Sequence, residues 1–244
     1  METNIRDIYE KKSIYDRIAG NPYVGRGICV GLSQNGENAV FAYFIMGRSA
    51  NSRNRVFTIR DGELFTEPFD ASQVEDPSLI IYAAARSFQN KTVVTNGDQT
   101  DTIIDGLKQG KKFSEALESR QFEPDAPNFT PRISAMLELG KHYSYQMSIL
   151  KSIDADGSGC SRQTFTYPGK PGLGHFIHTY VTDGNPIPTF QGEPERIIIP
   201  DSIDEFTEQI WSGLDEANKI SLYVEYINLK NNTGDYRLIN KNQK

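Results

Sequence analysis

Residues 27–46 read Gly27-Ile28-Cys29-Val30-Gly31-Leu32-Ser33, then Gln34-Asn35-Gly36-Glu37, then Asn38-Ala39-Val40-Phe41-Ala42-Tyr43-Phe44-Ile45-Met46. Two runs rich in β-branched and aromatic residues flank an Asn-Gly pair, which accepts the positive φ angles of a tight hairpin. The stretch predicts an antiparallel strand pair, and the same pattern recurs on the C-terminal side. Residues 56–59 and 63–66 flank Asp61-Gly62, and residues 79–86 and 91–95 flank Gln89-Asn90. Residues 133–139, 143–153, 163–167 and 175–182 read as further strands, and 220–229 and 236–240 as a last hairpin across Asn231-Asn232-Thr233-Gly234.

Helical spacing is rarer. Thr100 is placed to cap a helix carrying Ile103, Ile104 and Leu107 on one face, with Gly110 to end it, and Ser114 to cap a shorter helix through Arg120. Ser202 and Glu205 form a capping-box pattern ahead of Ile203, Phe206, Ile210 and Leu214, which predicts a helix over 203–217. Many hairpins and a few amphipathic helices predict an α+β protein of two stacked sheets with helices over both outer faces, a four-layer α/β/β/α sandwich.

Bulk properties bound the rest. A chain of 244 residues with 37% apolar and 24% charged residues can build one core, so residues 1–244 are expected to form a single domain. The net charge of -6 is spread without a dense Lys/Arg cluster, which argues against a nucleic-acid partner. The longest apolar runs, 28–32 and 38–46, fall short of the roughly 20 residues that cross a bilayer, so no membrane partner is expected. Residues 1–20 alternate acids, bases and single apolar residues, unlike a signal or transit peptide, and a cytoplasmic location is the expectation. Two cysteines, Cys29 and Cys160, are too few for a disulfide framework.

Three segments could carry chemistry. Gly47-Arg48-Ser49, followed by Asn51, Ser52, Arg53, Asn54 and Arg55, combines guanidinium forks with neutral donors and suits a monophosphate at a strand end; an exposed polar loop explains it as well. Residues 95–101, with Asn96, Gly97, Thr100 and Asp101, leave a strand and enter a helix, which fits either a polar-ligand site or an ordinary capped turn. In residues 123–132, three prolines hold Glu123 and Asp125 near Arg132, giving either an acid–base carboxylate or a stiff connector with solvated charges.

Other signals point away from metals and dinucleotides. Asp154-Ala155-Asp156-Gly157-Ser158-Gly159 imitates the start of a calcium loop, but Phe165 stands where a bidentate Glu belongs. His175 and His178, three apart on a strand, face opposite sides. Gly169, Gly172 and Gly174 lack the strand and helix that frame a dinucleotide fingerprint.

In chain order, Tyr23-Val24-Gly25-Arg26, Gly47-Arg48-Ser49 with Asn54-Arg55, Thr95-Asn96-Gly97 with Thr100-Asp101, and Thr130-Pro131-Arg132 resemble the archaeal-type IMP cyclohydrolase family. The likeness is best over 22–140, behind an N-terminal extension of 1–21; Gly172-Leu173-Gly174-His175 and Gly192-Glu193-Pro194 resemble segments of longer bacterial relatives. The resemblance implies an N-terminal-nucleophile-hydrolase-like fold without a terminal nucleophile. It implies cyclisation of 5-formamidoimidazole-4-carboxamide ribonucleotide to IMP, with no cofactor and no metal. The purine-precursor ribonucleotide would be the partner, bound by a homo-oligomer. By the same resemblance Glu123, Tyr82 and Asn96 are the catalytic candidates, with Glu123 moving the proton. Arg26, Arg48, Ser49, Arg55, Gly97, Thr100, Asp101 and Arg132 are the candidates for binding substrate. Two extra residues between Arg48-Ser49 and Asn54-Arg55 depart from the pattern, as does Asp98-Gln99.

Overall fold

Strand alternation sorts the side chains into layers. In the computed structural model, which describes residues 9–74 and 81–242, β1 (Arg26–Leu32) and β2 (Asn38–Met46) pair antiparallel across the Asn35-Gly36 turn, where Gly36 takes a φ of 74°. Ile28, Val30 and Leu32 on β1 and Phe41, Tyr43 and Ile45 on β2 point to one side, Cys29, Val40, Ala42 and Phe44 to the other. A one-residue slip would exchange the two sets, so burial on both faces fixes the register.

The remaining strands are β3 (Val56–Arg60), β4 (Glu63–Glu67), β5 (Tyr82–Phe88), β6 (Lys91–Thr95), β7 (Arg132–Glu138), β8 (Ser144–Ser152), β9 (Cys160–Pro168), β10 (Leu173–His178), β11 (Glu195–Ile198), β12 (Lys219–Asn228) and β13 (Gly234–Asn240). They form a six-stranded sheet in the order β11-β10-β1-β2-β12-β13 and a seven-stranded sheet in the order β3-β4-β5-β6-β7-β8-β9, both antiparallel. Asp61 and Gly62 both have positive φ in the two-residue β3–β4 turn, as a primed hairpin turn requires.

One core joins the sheets: Phe41, Tyr43 and Ile177 of the first pack with Phe57, Ile133, Tyr145 and Ile149 of the second. Burying each such side chain contributes about 1.5–3 kcal/mol over leaving it exposed. Asn240 closes one margin, accepting from the Phe57 N–H at 2.8 Å and donating to its carbonyl at 2.9 Å. Helices α1 (Ile14–Ile18) and α5 (Ile203–Gly213) pack on the outer face of the six-stranded sheet. Helices α3 (Gln99–Lys108) and α4 (Phe113–Ala116) pack on the other outer face against Val93 and Met136, and α2 (Ala50–Arg53) fills the β2–β3 connection. The protein is thus α+β, with two antiparallel sheets and few helices, an arrangement compatible with a sandwich.

Several boundaries differ from expectation. Asp98, not Thr100, is the N-cap of α3, and Lys112, not Ser114, that of α4, because Thr100 and Ser114 lie inside their helices. Helix α4 stops at Ala116 instead of running to Arg120, and α5 ends at Gly213 rather than at 217. Ser202 does cap α5, accepting the Glu205 N–H at 3.2 Å. Strand β11, four residues at a sheet edge, was too short to carry a period. Residues 79–80 of the expected third hairpin, and 1–8 of the expected extension, lie outside the described residues. Among the described residues no helix is long and apolar enough to cross a membrane.

Candidate functional site

The parity that fills the inter-sheet core also builds the site. One step outward from Ile28 on β1 and from Phe57 on β3 stand Arg26 and Arg55, on the core side of their sheets but at the end where the two sheets open. They line a cleft of about 280 Å³ together with Arg48, Ser49, Glu123, Asp125, Thr130 and Tyr180. That volume is near the lower end of the roughly 300–1,000 Å³ usual for small-molecule sites. Gly25 allows the approach to Arg26: its φ is 76°, and a Cβ there would sit 2.1 Å from the Thr179 hydroxyl.

Arg26, Arg55 and Glu123 are 7%, 4% and 8% exposed, so three charges share a nearly dry wall. Burial works against the Arg26 cation, but the Glu123 carboxylate outweighs it with help from nearby tyrosines, and the Arg26 pKa rises. Burial first, and then the like charge of Arg26, lower the Arg55 pKa. A guanidinium starts so basic that both stay cationic. Arg48 follows β2 and lies 5.2 Å over the Tyr23 ring, donates to the Gly184 carbonyl at 2.9 Å and pairs with Asp183. Three guanidinium groups against the Glu123 and Asp125 carboxylates leave the lining with one net positive charge, suited to a phosphate.

Glu123 is not a solvated connector residue. Its N–H donates to the Thr130 carbonyl at 2.9 Å, which closes the proline-rich segment into a loop with both carboxylates turned inward. Arg132 does not join them. Its guanidinium donates to Asp98 and to the Gln99 side chain, each at 2.8 Å, on the far side of the strand start.

The structure therefore divides the sequence candidates into two groups. Arg26, Arg48, Ser49, Arg55 and Glu123 share the cleft, with Ser49 also capping α2 through the Ser52 N–H at 3.1 Å. Tyr82 sits just behind it, its hydroxyl 2.9 Å from that of Tyr43, close enough to act electrostatically on both buried arginines. Burial pushes the Tyr43 phenol well above its ordinary range.

Asn96, Gly97, Thr100, Asp101 and Arg132 are not brought to the cleft; they lie around the β6–α3 turn, where their polar groups bond to neighbouring residues. Asn96 donates to the Pro131 carbonyl at 2.9 Å and accepts from the Ile133 N–H at 2.9 Å and the Gln99 amide at 3.0 Å. Thr100 shares a 2.7 Å hydrogen bond with Thr95, and Asp101 pairs with Arg86. A Cβ on Gly97 would lie 2.5 Å from an Arg132 nitrogen, so its missing side chain makes room for Arg132 rather than for a ligand. Buried polar groups at a helix start need partners, and here neighbouring residues supply them.

Tyr180 and Ile187, from the second half of the chain, complete the wall with Asn128 and Thr130. No periodicity marked Tyr180, whereas Thr130 and Asp125 lay inside a segment already notable for its prolines. Elsewhere, Asp154 accepts from the Asp156 and Ser158 N–H groups of its own turn, and His175 and His178 face opposite sides, against Tyr145 and Glu195 respectively.

Fold and cleft together define a double-sheet α+β protein with an arginine-lined cleft where its sheets part. The sequence profile of the family described as IMP cyclohydrolase-like protein matches residues 23–232, and the chain belongs to that family. It is similar to proteins named IMP cyclohydrolase from three archaea. Identity is 36% over 120 residues with that of Methanopyrus kandleri, covering 48% of this chain and 59% of the relative. It is 32% over 145 residues for Methanothrix thermoacetophila, covering 55% and 70%, and 28% over 162 residues for Methanococcus aeolicus, covering 65% and 74%.

Proposed function

We propose that this chain is an IMP cyclohydrolase, closing the six-membered ring of 5-formamidoimidazole-4-carboxamide ribonucleotide with loss of water. The observation that carries the reading is the meeting of Arg26, Arg48, Arg55 and Glu123, scattered over nearly a hundred positions of sequence, in one cleft. The family match and the names of the relatives support it. We read the fold in the same light: two stacked sheets with helices on both outer faces agree with the four-layer N-terminal-nucleophile-hydrolase-like order.

Nucleophile and electrophile sit on one imidazole ring, so holding their geometry and excluding water supply much of the acceleration. Arg48 and Arg55 bind the phosphate, and Arg26 bridges the sugar end and Glu123. The carboxamide nitrogen attacks the formyl carbon, and negative charge gathers on the formyl oxygen, where the guanidinium field favours it. The Glu123 carboxylate accepts the formamido proton and returns it to the departing oxygen. Tyr82 polarises the site through Arg26, while Asn96 acts at one remove by fixing Pro131 and Ile133, on either side of the strand start.

Incubating the purified protein with the formamido ribonucleotide and following IMP by absorbance, with a metal chelator as control, tests the reading. Conversion that resists the chelator is expected, and no conversion at saturating nucleotide would refute it. Glu123→Gln should remove most turnover while nucleotide binding persists.

A further inference from the structure

The cleft contains a hydrogen-bond chain whose direction is fixed. Asp125 accepts the Thr130 N–H on one oxygen at 2.6 Å and the Thr130 hydroxyl on the other. A carboxylate only accepts, so the single hydroxyl proton of Thr130 goes to Asp125. The Thr130 hydroxyl oxygen lies 2.5 Å from the Tyr180 hydroxyl, and with Thr130 already committed as donor, Tyr180 must donate there. Its proton points to Thr130, and its oxygen is left as an acceptor at the cleft wall. Stacking on Tyr23, with centroids 5.8 Å apart, and the bond from its own N–H to the Val24 carbonyl hold the ring in place. Burial raises the Tyr180 pKa, so the group meeting the ligand is a neutral phenol rather than a phenolate.

We propose that Tyr180, Thr130 and Asp125 form a proton relay, poised at rest to take a proton from the attacking carboxamide nitrogen and later returning it, with Tyr180 touching the substrate and Thr130 and Asp125 as positioning residues. This rests on the cyclohydrolase reading and adds to it the recognition of an N–H donor. An amide nitrogen is a poor nucleophile until it sheds a proton. As the new C–N bond forms and the formyl C=O π bond breaks, one carboxamide proton passes to the Tyr180 oxygen. The Tyr180 proton passes to Thr130 and the Thr130 proton to Asp125. The formyl oxygen then takes this proton back along the chain, takes the formamido proton through Glu123, and leaves as water while the ring C=N bond closes. A neutral acceptor also discriminates, since it bonds the –NH2 of a carboxamide and leaves a carboxylate at the same position without a donor.

Asp125→Asn tests the direction of the chain without emptying the site. The amide oxygen still accepts the Thr130 N–H, but the amide nitrogen now donates to the Thr130 hydroxyl, whose proton turns to Tyr180, whose own proton turns into the cleft. Every hydrogen bond survives and the polarity reverses. Tyr180→Phe removes the acceptor outright. Both variants should lose about 10²–10⁴-fold in kcat, the usual range for a general acid–base group, with KM for the nucleotide changed only a few-fold. The double variant should be no slower than the slower single, and Thr130→Ser should restore what Thr130→Val loses. Wild-type kcat in Asp125→Asn or in Tyr180→Phe would overturn the relay and leave the cyclohydrolase reading standing, because the wild type still makes IMP. A wild type that makes no IMP would remove that reading and the relay with it.

Discussion

Glu123→Gln separates the roles of counter-charge and ligand contact. The substitution keeps the size of the side chain and removes the carboxylate that acts electrostatically on both Arg26 and Arg55, each less than a tenth exposed. Removing the partner of a buried charge costs about 3–5 kcal/mol where the two form a direct pair, and the action of Glu123 through the field, with the cleft open on one side, points to the lower end of that range. For a chain of this size each kcal/mol moves the melting temperature by about 2–4 °C, so a loss of about 3 kcal/mol lowers it by roughly 6–12 °C. Nucleotide monophosphate then replaces the missing negative charge: at a hundredfold excess over Kd it returns about 2.7 kcal/mol. Thermal melts of both proteins across an IMP titration, with Kd from calorimetry, read these quantities. The expected result is a marked fall in the ligand-free melting temperature, recovery with IMP, and a Kd equal to or tighter than wild type. An unchanged ligand-free melt would refute the electrostatic argument, and a Kd weakened tenfold or more would make Glu123 a binding group instead.

Other outcomes follow from the same contacts. Arg48→Ala removes one charge-assisted phosphate contact worth about 1.5–3 kcal/mol, so KM should rise about 10–100-fold with kcat little changed in steady-state assays. Burial first, and then Arg196, lower the His175 pKa from 6.5 to about 4. The folded protein keeps this imidazole neutral while the unfolded chain protonates it, so its stabilisation is full above pH 6.5 and is lost as pH falls toward 4. Melts of His175→Phe should show a flatter acid limb across that window. Ser202→Ala deletes the cap of α5 and should cost about 1 kcal/mol, seen as a drop of about 2–4 °C in the melting temperature.

The hairpins were legible because turn chemistry and alternation agree locally: Asn35-Gly36 and Asp61-Gly62 mark turns whose strands then bury both faces. Helix starts were less so, since Thr100 and Ser114 have the right chemistry for caps but sit two residues too late. In the site, the arginines could be traced by parity, Arg26 lying two residues before Ile28 and Arg55 two before Phe57. Asn96, Gly97, Thr100 and Arg132 lie away from the cleft, which residue type alone could not reveal, because a buried hydrogen-bonded network uses the same residue types as a ligand site. Tyr180 could not be found from spacing at all. Its role comes from one contact with Thr130, fifty residues away, which only the packing of the two halves creates.

The most direct test of the central claim is a crystal structure of the protein with IMP bound. The account predicts the phosphate within hydrogen-bond distance of Arg48 and Arg55 and the base between Glu123 and Tyr180. A phosphate bound elsewhere, for instance in the groove between Phe88, Lys111 and Phe113, would contradict it.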